Sequence, residues 1–251
     1  MWLSQLASSI WPLASTRPQA LQGCRPLSRT DCGELASALE AYAEASFYCA
    51  AVSLGEGISD ALQNRFSWAA VKSYYSVFYS IRSIIARDSR FIYSVGRDQL
   101  SVRVSPGETP KRVKGSTHEA TFAIFRNSLP QNAVLSGEIE LSDPLDWMKS
   151  LRNNVSYRSP RFVEPDVPVW IRAFSQRPRH FLSGYLAHQF NAYTFDKDHS
   201  AIAFPMAVLW EAKRSLRPEF SFGPEDDAHL RSVCNPKQGE FFTLLRQHGA
   251  V

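Results

Sequence analysis

No stretch of this chain approaches the roughly 18 uninterrupted apolar residues that a membrane-crossing helix needs, which excludes a bilayer-spanning reading. Cysteine is sparse. Cys24, Cys32, Cys49 and Cys234 are scattered, no two form a C-x-x-C pair, and none has a histidine at zinc-ligand spacing. Free thiols in a reducing cytoplasm are the simplest account, with a bridge from Cys49 to one of the others left open by the spacing. No G-x-x-x-x-G-K loop is present to cradle phosphate, and no G-x-S-x-G elbow to present a serine nucleophile. Neither a metal nor an organic cofactor is expected.

Acids are absent from the first thirty residues, which carry Arg17, Arg25 and Arg29 together with Trp2, Leu3, Leu6, Ile10 and Leu13 at loosely helical spacing. Such a segment fits an organellar transit peptide or an amphipathic arm that packs on the body of the protein or on a partner, and the arm is the preferred reading. It lacks the compact apolar block of a secretory signal.

What is present is an ordinary globular composition: 251 residues, 44% hydrophobic and 21% charged, enough for one full core plus an appended unit. The net charge of +4 is too mild to diagnose nucleic-acid binding by itself. Its distribution is more informative, because Lys149, Arg152, Arg158 and Arg161 fall between residues 149 and 163 without one acid. A second surplus sets Arg97, Arg103, Lys111, Arg112 and Lys114 against Asp98 and Glu108, and either run taken by itself reads more simply as a solvated face.

The periodicity is helical almost throughout. Residues 31–52 are rich in alanine, leucine and glutamate and form a first helix that Gly55 and Gly57 are expected to end. Residues 64–87 place Trp68, Val71, Tyr75, Phe78, Ile81 and Ile85 at steps of three and four, predicting a long helix with these side chains in the core. Residues 88–115, broken by Pro106, Gly107 and Pro110, read as a loop with room for a short hairpin. Ser116 or Thr117 then caps a third helix with Glu119 in its first turn and Phe122 and Phe125 inside. Ser142-Asp143-Pro144 starts a fourth, running to just before Pro160 with Leu145, Met148, Leu151 and Val155 on its buried face. Beyond Pro165 and Pro168, helical stretches continue, and the aromatics Trp170, Phe174, Phe181, Tyr185 and Phe190 read as core more readily than as a base-stacking platform. The expected organisation is an arm over residues 1–30, an all-α antiparallel helical bundle over 31–162, and a helical extension over 163–251.

Three segments carry a resemblance. Within AAVKSYYSVFYSIRSII, the residues Tyr74, Tyr75, Phe78, Arg82, Ile84 and Ile85 resemble the second helix of the HEPN (higher eukaryotes and prokaryotes nucleotide-binding) family. GSTHEATFAIF resembles the start of that family's third helix, with His118. LRNNVSYR resembles the first half of its signature, an arginine followed by a polar residue, at Arg152-Asn153. The signature's second half, a histidine four to six residues on, is not matched, and the residue five after Arg152 is Tyr157. Together the segments span roughly residues 34 to 160.

The resemblance implies an RNA-associated helical protein of a toxin or phage-defence system. In members that cut RNA it implies a metal-independent reaction at the interface of two such domains. That reaction needs a fixed cation for the developing phosphorane charge and a group that takes the proton of the ribose 2′-hydroxyl. Arg152 suits the first task, being always charged and matched to phosphate geometry. Tyr157 is a poor base, with an ordinary pKa of about 10, and His118 is the candidate replacement. Asn153 completes the set, and Lys149, Arg158 and Arg161 are the expected nucleic-acid contacts. The expected partners are RNA and either a second copy or an operon-encoded protein. The alternative is a catalytically inactive helical module that keeps the fold and holds a partner protein, for which the missing histidine is the motive. Without the resemblance, Arg152 reads as an ordinary partner for a carboxylate on a neighbouring helix.

Overall fold

A computed structural model describes residues 3–12, 21, 23–95, 97–157, 174–187, 190, 192–233 and 240–249, the side chains of Tyr157 and Glu240 excepted. The chain is mostly helical, as expected, but it also contains a three-stranded sheet that the all-α reading omitted. Two long helices, α2 (Arg29–Leu62) and α3 (Phe66–Arg87), pass through both of two compact units, Met1–Ser46 with Ile81–Pro130 and Phe47–Ser80 with Gln131–Val251. The border at Pro130 coincides with a proline, whereas the other borders fall inside helices.

In the first unit the start of α2 is fixed by side chains. Ser28 donates its amide to Asp31 at 2.8 Å and accepts the Asp31 amide at 3.2 Å, which satisfies donors that a helix start leaves unpaired. Arg25 adds a two-pronged ion pair to the same carboxylate at 2.5 and 2.8 Å. The Arg25 guanidinium and the Ser28 donors hold the Asp31 carboxyl well below the usual carboxylate range. The N-terminal arm is a helix, α1 (Leu3–Ile10), that contacts strand β1 (Arg90–Val95), burying Leu3, Ala7 and Ile10. Its follower Trp11 is buried and donates its indole N–H to the Arg25 carbonyl at 2.9 Å. Trp2 and Leu13 lie outside the described residues.

The segment expected as a loop with room for a short hairpin forms an antiparallel sheet of β1, β2 (Asp98–Arg103) and β3 (Lys111–Val113), in that order, with β1 and β2 as a hairpin. Its β1–β2 register runs from Arg90 opposite Arg103 to Val95 opposite Asp98. Phe91, Tyr93, Leu100 and Val102 are buried, and the aromatic Phe91 and Tyr93 and the β-branched Val102 are the strand signal beside the proline-rich turn. Helix α4 (Thr117–Ser128) begins as expected: Ser116 and Glu119 bond reciprocally, with the Ser116 amide donating to Glu119 Oε2 at 2.9 Å. Phe122 and Phe125 are buried.

Gly55 and Gly57 do not interrupt α2, which runs on to Leu62. A Cβ added at Gly57 would stand 3.2 Å from Lys72 Cβ and 3.3 Å from the Ala69 carbonyl oxygen. The glycine therefore serves close helix approach, not termination. Helix α3 buries part of the row the periodicity selects: Phe78, Ile81 and Ile85 are buried, and Val71 and Tyr75 are half-buried. Trp68 is 47% exposed, and the large buried side chains are Phe66, Tyr74, Val77, Phe78, Ile81, Ile84 and Ile85. Five serines, Ser67, Ser73, Ser76, Ser80 and Ser83, are buried with them.

The core of the second unit is α8 (Ser200–Ser215), in which every residue from Ser200 to Leu209 is buried, so the helix is apolar nearly all round. Phe47 stacks on Phe222 at 5.5 Å and meets Phe220 edge-on at 5.8 Å. The remaining elements of this unit are a short 3-10 turn (Ala133–Leu135), α5 (Pro144–Tyr157), α6 (Pro178–Ala187), α7 (Ala192–Phe195), α9 (Pro224–Val233) and α10 (Glu240–Gln247). Among the described residues no helix is long and apolar enough to cross a membrane.

Candidate functional site

Helix α5 starts where the sequence indicates, with Pro144 in its first turn and Asp143 Oδ1 accepting the amides of Leu145 at 2.9 Å and Asp146 at 3.2 Å. Leu145 and Met148 are fully buried and anchor the helix, while Leu151 and Val155 are half-buried. Anchoring that face leaves Lys149, Arg152 and Asn153 half-buried on the flank.

Arg152 is held from two sides. Its Nη1 donates to Asn153 Oδ1 at 2.9 Å, and its guanidinium carbon stands 5.4 Å from the centre of the Tyr74 ring. Tyr74 is 1% exposed and meets Tyr75 edge-on at 5.7 Å, and Tyr75 in turn lies 6.1 Å from Tyr79. A cation over a tyrosine face gains about 1 kcal/mol when partly desolvated, and the ring orients the planar fork. In the sequence Tyr74 stands out only within the resemblance; its service as the seat of Arg152 depends on the fold and is not visible in the chain order.

The other expected residues are distributed as follows. His118 is half-buried in the first turn of α4 and belongs to the first unit, whereas Arg152 and Asn153 belong to the second. Arg158 and Arg161 lie outside the described residues, as does the Tyr157 side chain. Arg82, a further residue of the resemblance, lies over the Tyr42 ring at 5.1 Å. Cys24, Cys32 and Cys49 are in no disulfide, burial raising the pKa of Cys24 and Cys32, and Cys234 falls outside the described residues. Among the described residues no three His, Cys, Asp or Glu side chains are grouped so as to hold a metal ion.

Two features escaped the sequence reading. A groove of about 500 Å³ runs beside α5, lined by Glu140, Trp147, Ser150, Asn154, Lys197 and Asp198 among others. Trp147 donates its indole N–H to Glu140 Oε2 at 2.9 Å. Glu140 and Leu141 form the tip of a tight turn closed by two hydrogen bonds between Ile139 and Ser142, and both have positive φ, 49° and 60°. Side chains other than glycine and asparagine are disfavoured there, so the turn stores strain of about 1–3 kcal/mol per residue. The polar i, i+3, i+7 spacing of Trp147, Ser150 and Asn154 was the available signal.

The second feature surrounds His199. Tyr185 and His199 Nδ1 are hydrogen bonded at 2.8 Å, and the rings of Tyr193 and Phe181 lie 4.8 and 5.7 Å from the imidazole. Burial, helped by Tyr193 and Asp196, pushes the Tyr185 phenol well above its ordinary pKa. Phe174 and Tyr185 are buried, in keeping with the expected core role of the C-terminal aromatics, while Phe181 and Phe190 are half-buried and Trp170 is outside the described residues.

Comparison with known proteins returns no matching family model, no matching curated protein and no matching solved structure.

Proposed function

We propose that this chain is a HEPN-type RNA-associated protein in which the Arg152-Asn153 pair contacts the RNA backbone. The observation that carries this reading is the seating of Arg152 on Tyr74, because it brings together two of the sequence segments on which the resemblance rests. A guanidinium oriented by a buried ring and by the neighbouring amide is held as a planar fork in one orientation, which suits recognition of a phosphate. Lys149, one turn earlier on the same helix, adds positive charge to that flank. Arg158 and Arg161 extend it in sequence.

The corresponding reaction is metal-independent cleavage of RNA in a toxin or phage-defence setting, with Arg152 neutralising the phosphorane charge and a second copy supplying the paired site. The 2′-hydroxyl proton then has to pass to a group other than the missing histidine. Tyr157 in that place favours a second reading, a catalytically inactive module that retains the bundle and binds an operon-encoded partner.

The test is incubation of purified protein with total RNA in the presence of a chelator, alongside an RNA mobility shift at two salt concentrations. Wild type is expected to shift RNA. Arg152→Ala is expected to lower the affinity about tenfold and to reduce the salt slope by about one charge. Cleavage that disappears in Arg152→Ala and persists in Tyr157→Phe identifies a ribonuclease that does not use the tyrosine as its base. RNA neither shifted nor degraded by wild type ends the RNA reading and leaves the partner-binding module.

A further inference from the structure

A cavity of about 470 Å³ in the second unit has a floor and a rim of different chemistry. Its floor is apolar and comes from three segments: Ile58 and Leu62 at the end of α2, Leu182 on α6, and Phe241 and Leu244 on α10. Ile58, Leu182 and Phe241 are almost completely buried. Its rim is formed by the start of α6, where Arg177, Arg179 and His180 line the opening beside Pro178. Among the described residues no acid lines the cavity.

The rim is electrostatically unusual. The start of a helix is its positive end, where acids are ordinarily placed. Helix α6 has no acid in its first turn and instead carries Arg179 and His180 there, with Arg177 just before it. Cationic side chains at that end raise the local potential, and an anion at the mouth lowers it. The volume lies in the range of small-molecule pockets and is too small for a protein segment of any length.

We propose that this cavity binds a small amphipathic anion, a single acyl chain bearing a carboxylate, with the chain on the Leu62–Leu182–Phe241 floor and the head group between Arg177 and Arg179. Apolar burial supplies the affinity and the rim selects the charge. This site does not depend on the RNA reading, since none of its lining residues belongs to the Arg152 flank.

The experiment is calorimetric titration of the full chain at low salt with decanoate, with decyltrimethylammonium and with decanol, which share a chain and differ in head group. Decanoate is expected to bind saturably, and decyltrimethylammonium about tenfold or more weakly. Charge reversal by Arg177→Glu with Arg179→Glu, both on the exposed rim, is expected to weaken decanoate about tenfold and leave decanol unchanged. Leu62→Trp fills the floor and is expected to abolish binding of all three. Where that variant loses its helical circular dichroism, Leu244→Trp, at a half-exposed position, makes the same test. Equal binding of the anion and the cation overturns the proposal, as does decanoate binding that survives the filling substitution, or no decanoate binding at all.

Discussion

Helices α3 and α8 are both enclosed for most of their length, yet α8 buries carbon where α3 buries hydroxyls. Along α8 the run from Ala201 to Leu209 is wholly apolar and packs like an interior helix of a larger protein. Along α3 five buried serines alternate with aromatic and aliphatic residues. Ser83 donates to the Ala43 carbonyl at 2.8 Å, whereas the Ser76 and Ser80 hydroxyls are buried with no hydrogen-bond partner among the described residues. Small side chains allow the close helix approach also seen at Gly57, at the cost of leaving polar atoms dry. The difference separates a helix whose contribution is stability from one whose composition is set by closeness and by what its other faces must carry, including the Tyr74 seat of Arg152.

The comparison is most easily broken at Phe204, which is fully buried in the middle of α8. Phe204→Ala is expected to destabilise the protein by about 3–5 kcal/mol, measured by urea unfolding. A loss below about 1 kcal/mol means that α8 is not packed as described. Ser76 tests the other helix in two directions. Ser76→Leu is expected to cost about 1–3 kcal/mol through overpacking, while Ser76→Ala, which removes an unpaired hydroxyl, is expected to stay within about 1 kcal/mol of wild type or to stabilise it. A large loss in the alanine variant instead reveals a bound partner for that oxygen.

The smallest effect concerns the start of α8, where His199 precedes Ser200 and bonds Tyr185. The phenol's pKa is raised by folding, so its contribution is fully present below the ordinary tyrosine value of about 10 and is lost as pH rises beyond it. Tyr185→Phe is expected to cost about 1 kcal/mol at neutral pH and to show a flatter decline in thermal midpoint under alkaline conditions. Parallel alkaline curves for the two proteins exclude this coupling.

Much of the helical content was legible because it rests on local chemistry. The Ser116–Glu119 reciprocal cap, the Asp143-Pro144 start and the extent of α3 follow from spacing alone. The row of α3 that faces inward follows only in part: Phe78, Ile81 and Ile85 are buried as the three- and four-residue steps indicate, whereas Trp68, placed in the core by the same steps, is half exposed, because a helix enclosed on most sides offers no clean periodicity. Gly57 was read as a break because close helix approach is a tertiary property. Of the sheet only room for a short hairpin was legible, because its strands are short and a proline-rich turn interrupts them. At the candidate site, Arg152 and Asn153 could be named from the sequence, but their seat on Tyr74 depends on a residue 78 positions away.

The passage of α2 and α3 through both units bears on how the chain is made. Residues 47–80 leave the ribosome early but belong to a unit whose core helix is not synthesised until residues 200–215. Their inward-facing side chains, Phe47, Leu54, Tyr74 and Val77 among them, wait for partners over more than a hundred residues of synthesis. A nascent chain halted after residue 130 holds every segment of the first unit, yet trails a helical hairpin whose middle is bare. Any attempt to divide this gene at its proline-rich stretches therefore divides the second unit from the helices on which it is built.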